Sequence, residues 1–421
     1  ERIARRLAQR GELTFAEVME EALYGEGGYY ARHELPIGEA GDFVTGSSHS
    51  DLFGRATARL LERLDVALGC RAALLEVGCG DCRHLAAVAA ASPGRRLLAW
   101  DRVRRPLPPG VERFEPAPLS SQREASAATL DISSSRKGSG AGTPAPSSSR
   151  PERPRASTAS RGGAEWRDLL PPGSLDCGSL RSPPLGTTRG DAAAAREGMG
   201  SGDVEGLVFS YELFDALPVH RLVGLAGGSA GELRVVRDAS GALAWRPGPL
   251  SDPALAELLG GHRLEPGQVA DLSPGWVPLY RRLASCLGRG LLVTCDYGYE
   301  RARLLDPRVR RHGTLAAYRS HRVHRDALRD LGEQDLTAHV DFTALREAGE
   351  AAGLATVAFT RQARWLTALG LFDALAEAGP AARLRAAALL DPEGMGDQIR
   401  VLVQARGLDA ARVMDRSIVG G

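Results

Sequence analysis

The stretch Leu74-Leu75-Glu76-Val77-Gly78-Cys79-Gly80-Asp81-Cys82 decides the fold. An apolar run ends in an acid and then in two glycines one residue apart, and the segment from His84 to Ala91 follows with helical spacing. This is a strand, a tight turn and a helix start, the first unit of a doubly wound α/β sheet. Gly78 and Gly80 let the backbone approach a ligand where a Cβ would collide. The helix behind them offers unsatisfied N–H groups at its start. The next apolar run, Leu97-Leu98-Ala99-Trp100, ends in Asp101, about 20 residues after Gly80, where such folds hold the ribose hydroxyls of a nucleotide. The third glycine of a dinucleotide fingerprint is absent, since position 83 is Arg83. A compact Glu-x-Gly-x-Gly followed by an acid fits S-adenosylmethionine better than NAD, which disfavours an NAD-dependent oxidoreductase.

Composition sets the outer bounds. The 421 residues, 43% of them hydrophobic, allow two or three domains or one domain with large insertions around a sizeable core. A net charge of +1 argues against a dedicated nucleic-acid binder. Lys137 is the one lysine among 53 basic residues, a bias that reads as a GC-rich genome. The six cysteines lack zinc-ribbon spacing, and Cys79 and Cys82 read as small turn residues with reduced thiols. The histidines show no HExxH-type spacing, so no metal site is proposed. No apolar run reaches about 18 residues, so no membrane insertion is expected. The stretch from Glu1 mixes Arg with acids and does not read as a signal or transit peptide.

The chain divides into five segments. Residues 1–69 read as a helical and lid segment, with two short helices around Gly11, a polar Gly-rich loop over 41–50, and a helix from about 51 to 68 that Ser50 caps. Residues 70–115 hold the first half of the sheet. Residues 116–202 are dominated by Ser, Ala, Gly, Pro and Arg. They bury too little surface to offset ordering entropy and are expected to form a disordered insertion. Residues 203–300 hold the second half, with a strand ending at Tyr211, a β-hairpin over 219–245 appended to the sheet, a polar helix near 253–259, a helix over 276–287 and a strand over 290–299. Residues 301–421 supply substrate-side helices and the last strands, including one Ala-rich helical stretch over 364–390. Ligands in open α/β sheets lie beyond the carboxyl ends of the strands, so Tyr211, Glu212 and Asp215 face the crevice of Gly78 and Asp101. Spacing alone equally allows Glu212 and Asp215 to be a helix-start pair.

Eight of these stretches occur in one order: Gly28-Tyr29-Tyr30; Gly41-Asp42-Phe43-Val44-Thr45; Phe53-Gly54; Glu76-x-Gly-x-Gly80; Glu212-x-Phe214-Asp215-Ala216-Leu217-Pro218-Val219; Asp296-Tyr297-Gly298; Gly313-Thr314-Leu315 with Tyr318; and Asp335-Leu336-Thr337-Ala338-His339-Val340-Asp341-Phe342. On these runs the chain resembles the MidA-like class I methyltransferases, bacterial and mitochondrial relatives of the arginine methyltransferase that assists respiratory complex I assembly. The resemblance implies a Rossmann-like class I sheet with an N-terminal helical lid, a β-hairpin and C-terminal helical additions. It implies S-adenosyl-L-methionine as cofactor and a protein arginine as acceptor, in a respiratory-complex subunit. The location it implies is the cytoplasm of a bacterium, or the mitochondrial matrix of a eukaryote. In that reading Glu76, Gly78 and Gly80 hold the amino-acid part and ribose edge, Asp101 holds the ribose hydroxyls, and Asp42 and Thr45 belong to a loop that closes over the cofactor. Glu212 and Asp215 orient the guanidinium, with Asp341 and His339 as second choices.

The sequence departs from the pattern in places. Gly46-Ser47-Ser48 replaces Ser-Pro-Glu, Tyr211 stands where Asn is usual, and the turn carries Cys79 and Asp81. Two other readings stand beside the enzyme of protein arginine: a non-catalytic assembly factor built on a methyltransferase fold, and a small-molecule methyltransferase. The retained Gly78, Gly80 and Asp101 argue against the scaffold, which has no physical need of them.

Overall fold

A computed structural model describes residues 1–32, 45–116, 204–320 and 322–414. The loop around Asp42 and the insertion over 117–203 lie outside the described residues, and so do the expectations of a closing loop and of disorder made for them. The elements around the central sheet, in chain order, are α1 (Asp51–Leu68), β1 (Ala73–Val77), α2 (Arg83–Ala91), β2 (Leu97–Trp100), β3 (Val111–Arg113), β4 (Val204–Tyr211), α3 (Trp276–Cys286), β5 (Leu287–Tyr299), α4 (Phe342–Ala351), β6 (Ala355–Arg361) and β7 (Ile399–Arg406). Across the sheet the order is β6-β7-β5-β4-β1-β2-β3. The pairs β1–β2, β2–β3, β1–β4 and β4–β5 are parallel. Strand β7 runs antiparallel to both β5 and β6. The chain winds outward from β1 to β3 and then returns to β4 on the other side of β1, so the crevice above β1 and β4 is a topological switch point.

Period-two alternation along the strands builds a core on each face. Leu75, Val77, Leu98, Val208 and Leu292 face one core, with Trp276, Leu283, Phe342 and Leu345 of α3 and α4. Leu74, Leu97, Phe209, Leu291 and Val293 face the other, with Phe53, Leu60 and Leu64 of α1 and Leu85 and Val88 of α2. Ser50 caps α1 as expected, its Oγ accepting from the Leu52 N–H at 3.3 Å.

Three expectations need correction. The hairpin over 219–245 belongs to a separate five-stranded antiparallel sheet: His220–Gly224, Ala230–Arg237, Leu243–Gly248, Val269–Leu272 and Glu12–Thr14. Glu12–Thr14 lies between the two N-terminal helices and is too short for its periodicity to be read; its partners, with Leu13 opposite Val235, come from far along the chain. The stretch over 364–390 is three helices, Gln362–Ala368, Leu371–Glu377 and Pro380–Leu390, because Gly370 takes a left-handed φ of 80° and Pro380 starts the last one. The short helix after position 252 is a 3-10 helix, Pro253–Leu259.

A third sheet seats the most distinctive sequence run. Ala316–Arg319 pairs antiparallel with Arg322–His324 on one side and Asp335–Thr337 on the other, which sets Tyr318 opposite Asp335. Gly313 is fixed by packing: a Cβ there would lie 2.1 Å from Asp271 Oδ2, the oxygen that accepts from the Thr314 and Leu315 N–H groups.

Candidate active site

The glycine turn closes β1. Gly78 has a φ of 73° and Gly80 a φ of 53°, both in the left-handed region. The Gly78 N–H donates to the Trp100 carbonyl at 2.8 Å, which ties the turn to the end of β2. A Cβ on Gly78 would lie 2.8 Å from Leu213 Cδ1, so the turn is pressed directly against the loop after β4. Asp101 completes this side. Its Oδ2 accepts from the Gly80 N–H and its Oδ1 from the Val103 N–H, both at 2.9 Å. Burial raises its pKa, and these two N–H groups and Arg105 counter the rise. The carboxylate is therefore oriented by the glycine turn itself, and its remaining lone pairs are open to hydroxyl donors.

Glu76 has a different place. It is buried within β1, and its Oε2 meets His84 Nδ1 at 3.1 Å, while His84 Nε2 meets Thr57 Oγ1 at 2.9 Å. This buried chain ties β1, α2 and α1 together under the turn.

The loop after β4 is strained and acidic. Glu212 has a φ of 48°, uncommon for a non-glycine residue, and its N–H donates to the Cys295 carbonyl at 2.9 Å. The carbonyls that follow are held from three elements: Trp276 Nε1 donates to the Phe214 carbonyl, the Ala338 N–H to that of Asp215, and Tyr24 Oη to that of Ala216. Asp296, at the end of β5, accepts from the Leu213 and Phe214 N–H groups through Oδ2, and from the Tyr297 N–H through Oδ1. Asp335 accepts from Tyr30 Oη at 2.9 Å.

These acids act on one another. Burial first, then Asp296, pushes Glu212 up to about 8. Burial pushes Asp296 up to about 7 against the backbone N–H groups that oppose it. Asp215 is raised well above the carboxylate range by burial and then by Asp296, Glu212 and Asp335. Glu212 as a residue is partly exposed, yet its Oε1 is buried with no hydrogen-bond partner. Tyr297 and Tyr318 are also held up, by burial and then by members of the acidic group.

The site as a whole is a glycine turn with a ribose-type acid on one side and clustered carboxylates among tyrosines on the other. Residues 194–360 match the family model described as "Putative S-adenosyl-L-methionine-dependent methyltransferase". Two solved structures from Burkholderia thailandensis are similar along nearly the whole chain. One, a superfamily member and "likely methyl transferase" bound to S-adenosyl-homocysteine, is 25% identical with a TM-score of 0.69, over 99% of this chain and 95% of its own. The other, a native structure of an uncharacterized protein of the same superfamily, is 26% identical with a TM-score of 0.65, over 99% and 93%. No protein of curated function matches the chain. The chain is an S-adenosylmethionine-dependent methyltransferase. Its sheet is the Rossmann-like class I sheet that the glycine turn implied.

In this methyltransferase the sequence-chosen residues fall into two groups. Gly78, Gly80, Asp101, Glu212 and Asp215 meet at the switch point. Glu76 lies beneath the turn, and Thr45 precedes the short helix Gly46–His49 beside Tyr211. Asp341 is occupied: its Oδ2 accepts from Arg301 Nε at 2.6 Å, and its Oδ1 caps α4 through the Ala344 N–H. His339 lies against Tyr297 and Tyr299, its pKa lowered to about 4 chiefly by burial and then by Arg310. Asp42 is outside the described residues.

Sequence reasoning passed over Asp296, Asp335 and Tyr30 as site residues. The signal for Asp296 was present: β4 and β5 are parallel with Tyr211 opposite Cys295, so the residues that follow, Glu212 and Asp296, lie at one level. No local signal marks Asp335, which reaches the site through its pairing with Tyr318. Among the described residues, no helix is long and apolar enough to cross a membrane.

Proposed function

We propose that this methyltransferase methylates a guanidinium nitrogen of an arginine in a protein. Gly78, Gly80 and Asp101 hold the cofactor, and Glu212 and Asp215 hold the acceptor. The observation that carries this reading is the clustering of Glu212, Asp215 and Asp296 beside the glycine turn with no cationic partner among the described residues. Buried carboxylates without a counter-ion are raised in pKa, and an incoming guanidinium supplies the missing charge. The turn fits the cofactor because Gly78 and Gly80 hold left-handed conformations that keep side chains out of it, and because Asp101 is aimed by the Gly80 N–H.

S-adenosylmethionine, when bound, supplies an electrophilic methyl group on its sulfonium. The protein's share is alignment and charge. Glu212 and Asp215 orient the planar guanidinium and bias its electron density to one nitrogen. The methylated nitrogen must then shed a proton, and the unpartnered Glu212 Oε1 is placed to take it. A carboxyl titrating near neutrality suits that transfer. Asp296 fixes the Glu212–Phe214 turn through the Leu213 and Phe214 N–H groups, and Asp335 fixes Tyr30. Asp42 and Thr45 belong to the loop that excludes water. The resemblance to the MidA-like enzymes supports a respiratory-complex subunit as the acceptor, reached from the cytoplasm or the mitochondrial matrix.

The test is incubation with methyl-labelled S-adenosylmethionine and cell extract, followed by amino-acid analysis of the labelled product. Label in methylarginine is expected; label confined to small molecules overturns the reading. In the same assay Glu212→Gln is expected to keep S-adenosyl-homocysteine affinity by calorimetry while turnover falls about 100-fold or more. Loss of binding in that variant would move Glu212 to the cofactor side.

A further inference from the structure

Two residues beyond Asp296 and Tyr297 on β5, the character of the surface reverses. Tyr297 and Tyr299 lie on one face of the strand, and His339 packs against both rings, with centroids 6.4 Å and 5.5 Å away. The Tyr299 ring gathers three guanidinium groups: Arg303 at 4.7 Å, Arg310 at 4.7 Å and Arg400 at 5.1 Å from its centroid. Cation–π attraction accounts for each contact singly, but the like charges oppose one another.

The acids nearby are taken. Asp341 pairs with Arg301, Glu300 with Arg346, and Asp397 with Arg361. Among the described residues Arg303 and Arg310 have no carboxylate within ion-pair distance. Arg310 Nε and His339 Nδ1 are buried atoms with no hydrogen-bond partner. Arg400 is itself buried; burial chiefly lowers its pKa, Arg361 and Arg303 add to the fall, Tyr299 and Asp397 oppose it, and its Nη1 donates to the Asp397 carbonyl. Built-in repulsion and an unused buried guanidinium donor at one spot mark a place for an anion.

We propose that Tyr299, Arg303, Arg310 and Arg400 form a docking subsite for an acidic segment of the polypeptide whose arginine enters the Glu212–Asp215 pocket. This rests on the polypeptide acceptor proposed above. The cations are spread around an aromatic ring, which suits carboxylates spaced along a chain better than a single phosphate. Tyr297 joins the patch to the carboxylates: its ring stacks on His339, and Glu212 and Asp215 act on its hydroxyl. The acceptor is thereby read by both signs of charge: a cation for the pocket, anions for the patch.

The experiment uses the full chain saturated with S-adenosyl-homocysteine and two synthetic peptides, each with one central arginine, flanked by glutamates in one and by lysines in the other. By fluorescence anisotropy the glutamate peptide is expected to bind about tenfold tighter or more at low salt, with the preference shrinking as salt rises. Arg303→Glu with Arg310→Glu is expected to remove or invert the preference while S-adenosyl-homocysteine affinity stays unchanged. If that variant fails to fold, Arg303→Gln with Arg310→Gln replaces it, and a clear weakening of the preference is expected. Equal binding of the two peptides, or an unchanged preference in a folded variant, overturns the subsite alone. Binding of neither peptide overturns the subsite together with the polypeptide acceptor. Competition by millimolar inorganic phosphate that removes the glutamate peptide but leaves the lysine peptide bound would assign the patch to a free phosphate-type anion instead.

Discussion

Gly78 joins two requirements in one residue. Its φ of 73° strains any L side chain, and a Cβ on it would lie only 2.8 Å from Leu213 Cδ1. Gly78→Val is therefore expected to weaken S-adenosyl-homocysteine binding by about 100-fold or more in calorimetry, since a β-branched residue is least tolerant of that conformation. Unchanged affinity would remove the turn from the cofactor site. Gly46 shows the same logic beside Tyr211. A Cβ there would lie 2.0 Å from Tyr211 Oη, which donates to Gln362 Oε1 at 2.6 Å. The sequence departs from the MidA-like pattern at both positions, Gly for Ser at 46 and Tyr for Asn at 211, and the structure makes the two departures one change. Gly46→Ser is expected to cost about 1–3 kcal/mol by overpacking, and much less in a Tyr211→Asn background. Additive effects in a double-mutant cycle of thermal unfolding would show that the residues do not compete for the same space.

At the scale of elements, function follows from where strands stop. The end of β1 gives the glycine turn, the end of β2 gives Asp101, the end of β4 gives Glu212, and the end of β5 gives first Asp296 and then the basic patch at Tyr299. The bridging contributions come from added elements: Phe15–Tyr24 and the loop after it bring Tyr24 and Tyr30, and the three-stranded sheet brings Tyr318 and Asp335. Asp341 shows how an acid in a distinctive run can serve an element. It caps α4 and pairs with Arg301, both from a buried position. Asp341→Ala is expected to lower stability by about 1–3 kcal/mol, because it removes a cap and leaves the mostly buried Arg301 with only the exposed carboxylate of Glu347. A drop in turnover without a drop in melting temperature would instead return Asp341 to the chemistry.

At the scale of the whole molecule, the carboxylate cluster sets a pH response. Glu212 is raised from 4.5 to about 8, and Asp296 from 3.8 to about 7, chiefly by burial, with Asp215 raised beside them. The folded state thus holds protons that the unfolded chain releases. The stabilisation from these groups is full below their unfolded values and is lost as pH rises through about 7 to 8. The ligand-free melting temperature is expected to fall between pH 5 and 8, and Glu212→Gln to flatten the fall, with the gap between variant and wild type widening toward pH 8. Parallel melting curves would show that Glu212 is charged in the folded state without cost.

Legibility followed the range of the interactions. The glycine turn, the acid at Asp101, the alternating strands and the Ser50 cap depend on neighbours in sequence, so their residues announce them. Glu12–Thr14, Asp335 and the break of the stretch over 364–390 depend on partners far along the chain or on a turn geometry that periodicity hides. Glu76 looked like a ligand-facing acid because strand-end position says nothing about burial, and the His84–Thr57 chain beneath it is tertiary.

By itself, the sequence determined the strands of the central sheet from Ala73 to Tyr211, the switch-point turn and the kind of ligand it takes, because short-range sterics and period-two burial are written locally. Only the tertiary structure decided which carboxylates share one desolvated pocket, that Asp341 is held by Arg301, and that three arginines meet on the ring of Tyr299. Burial and like-charge proximity are properties of the assembled sheets, and no single stretch of the chain contains them.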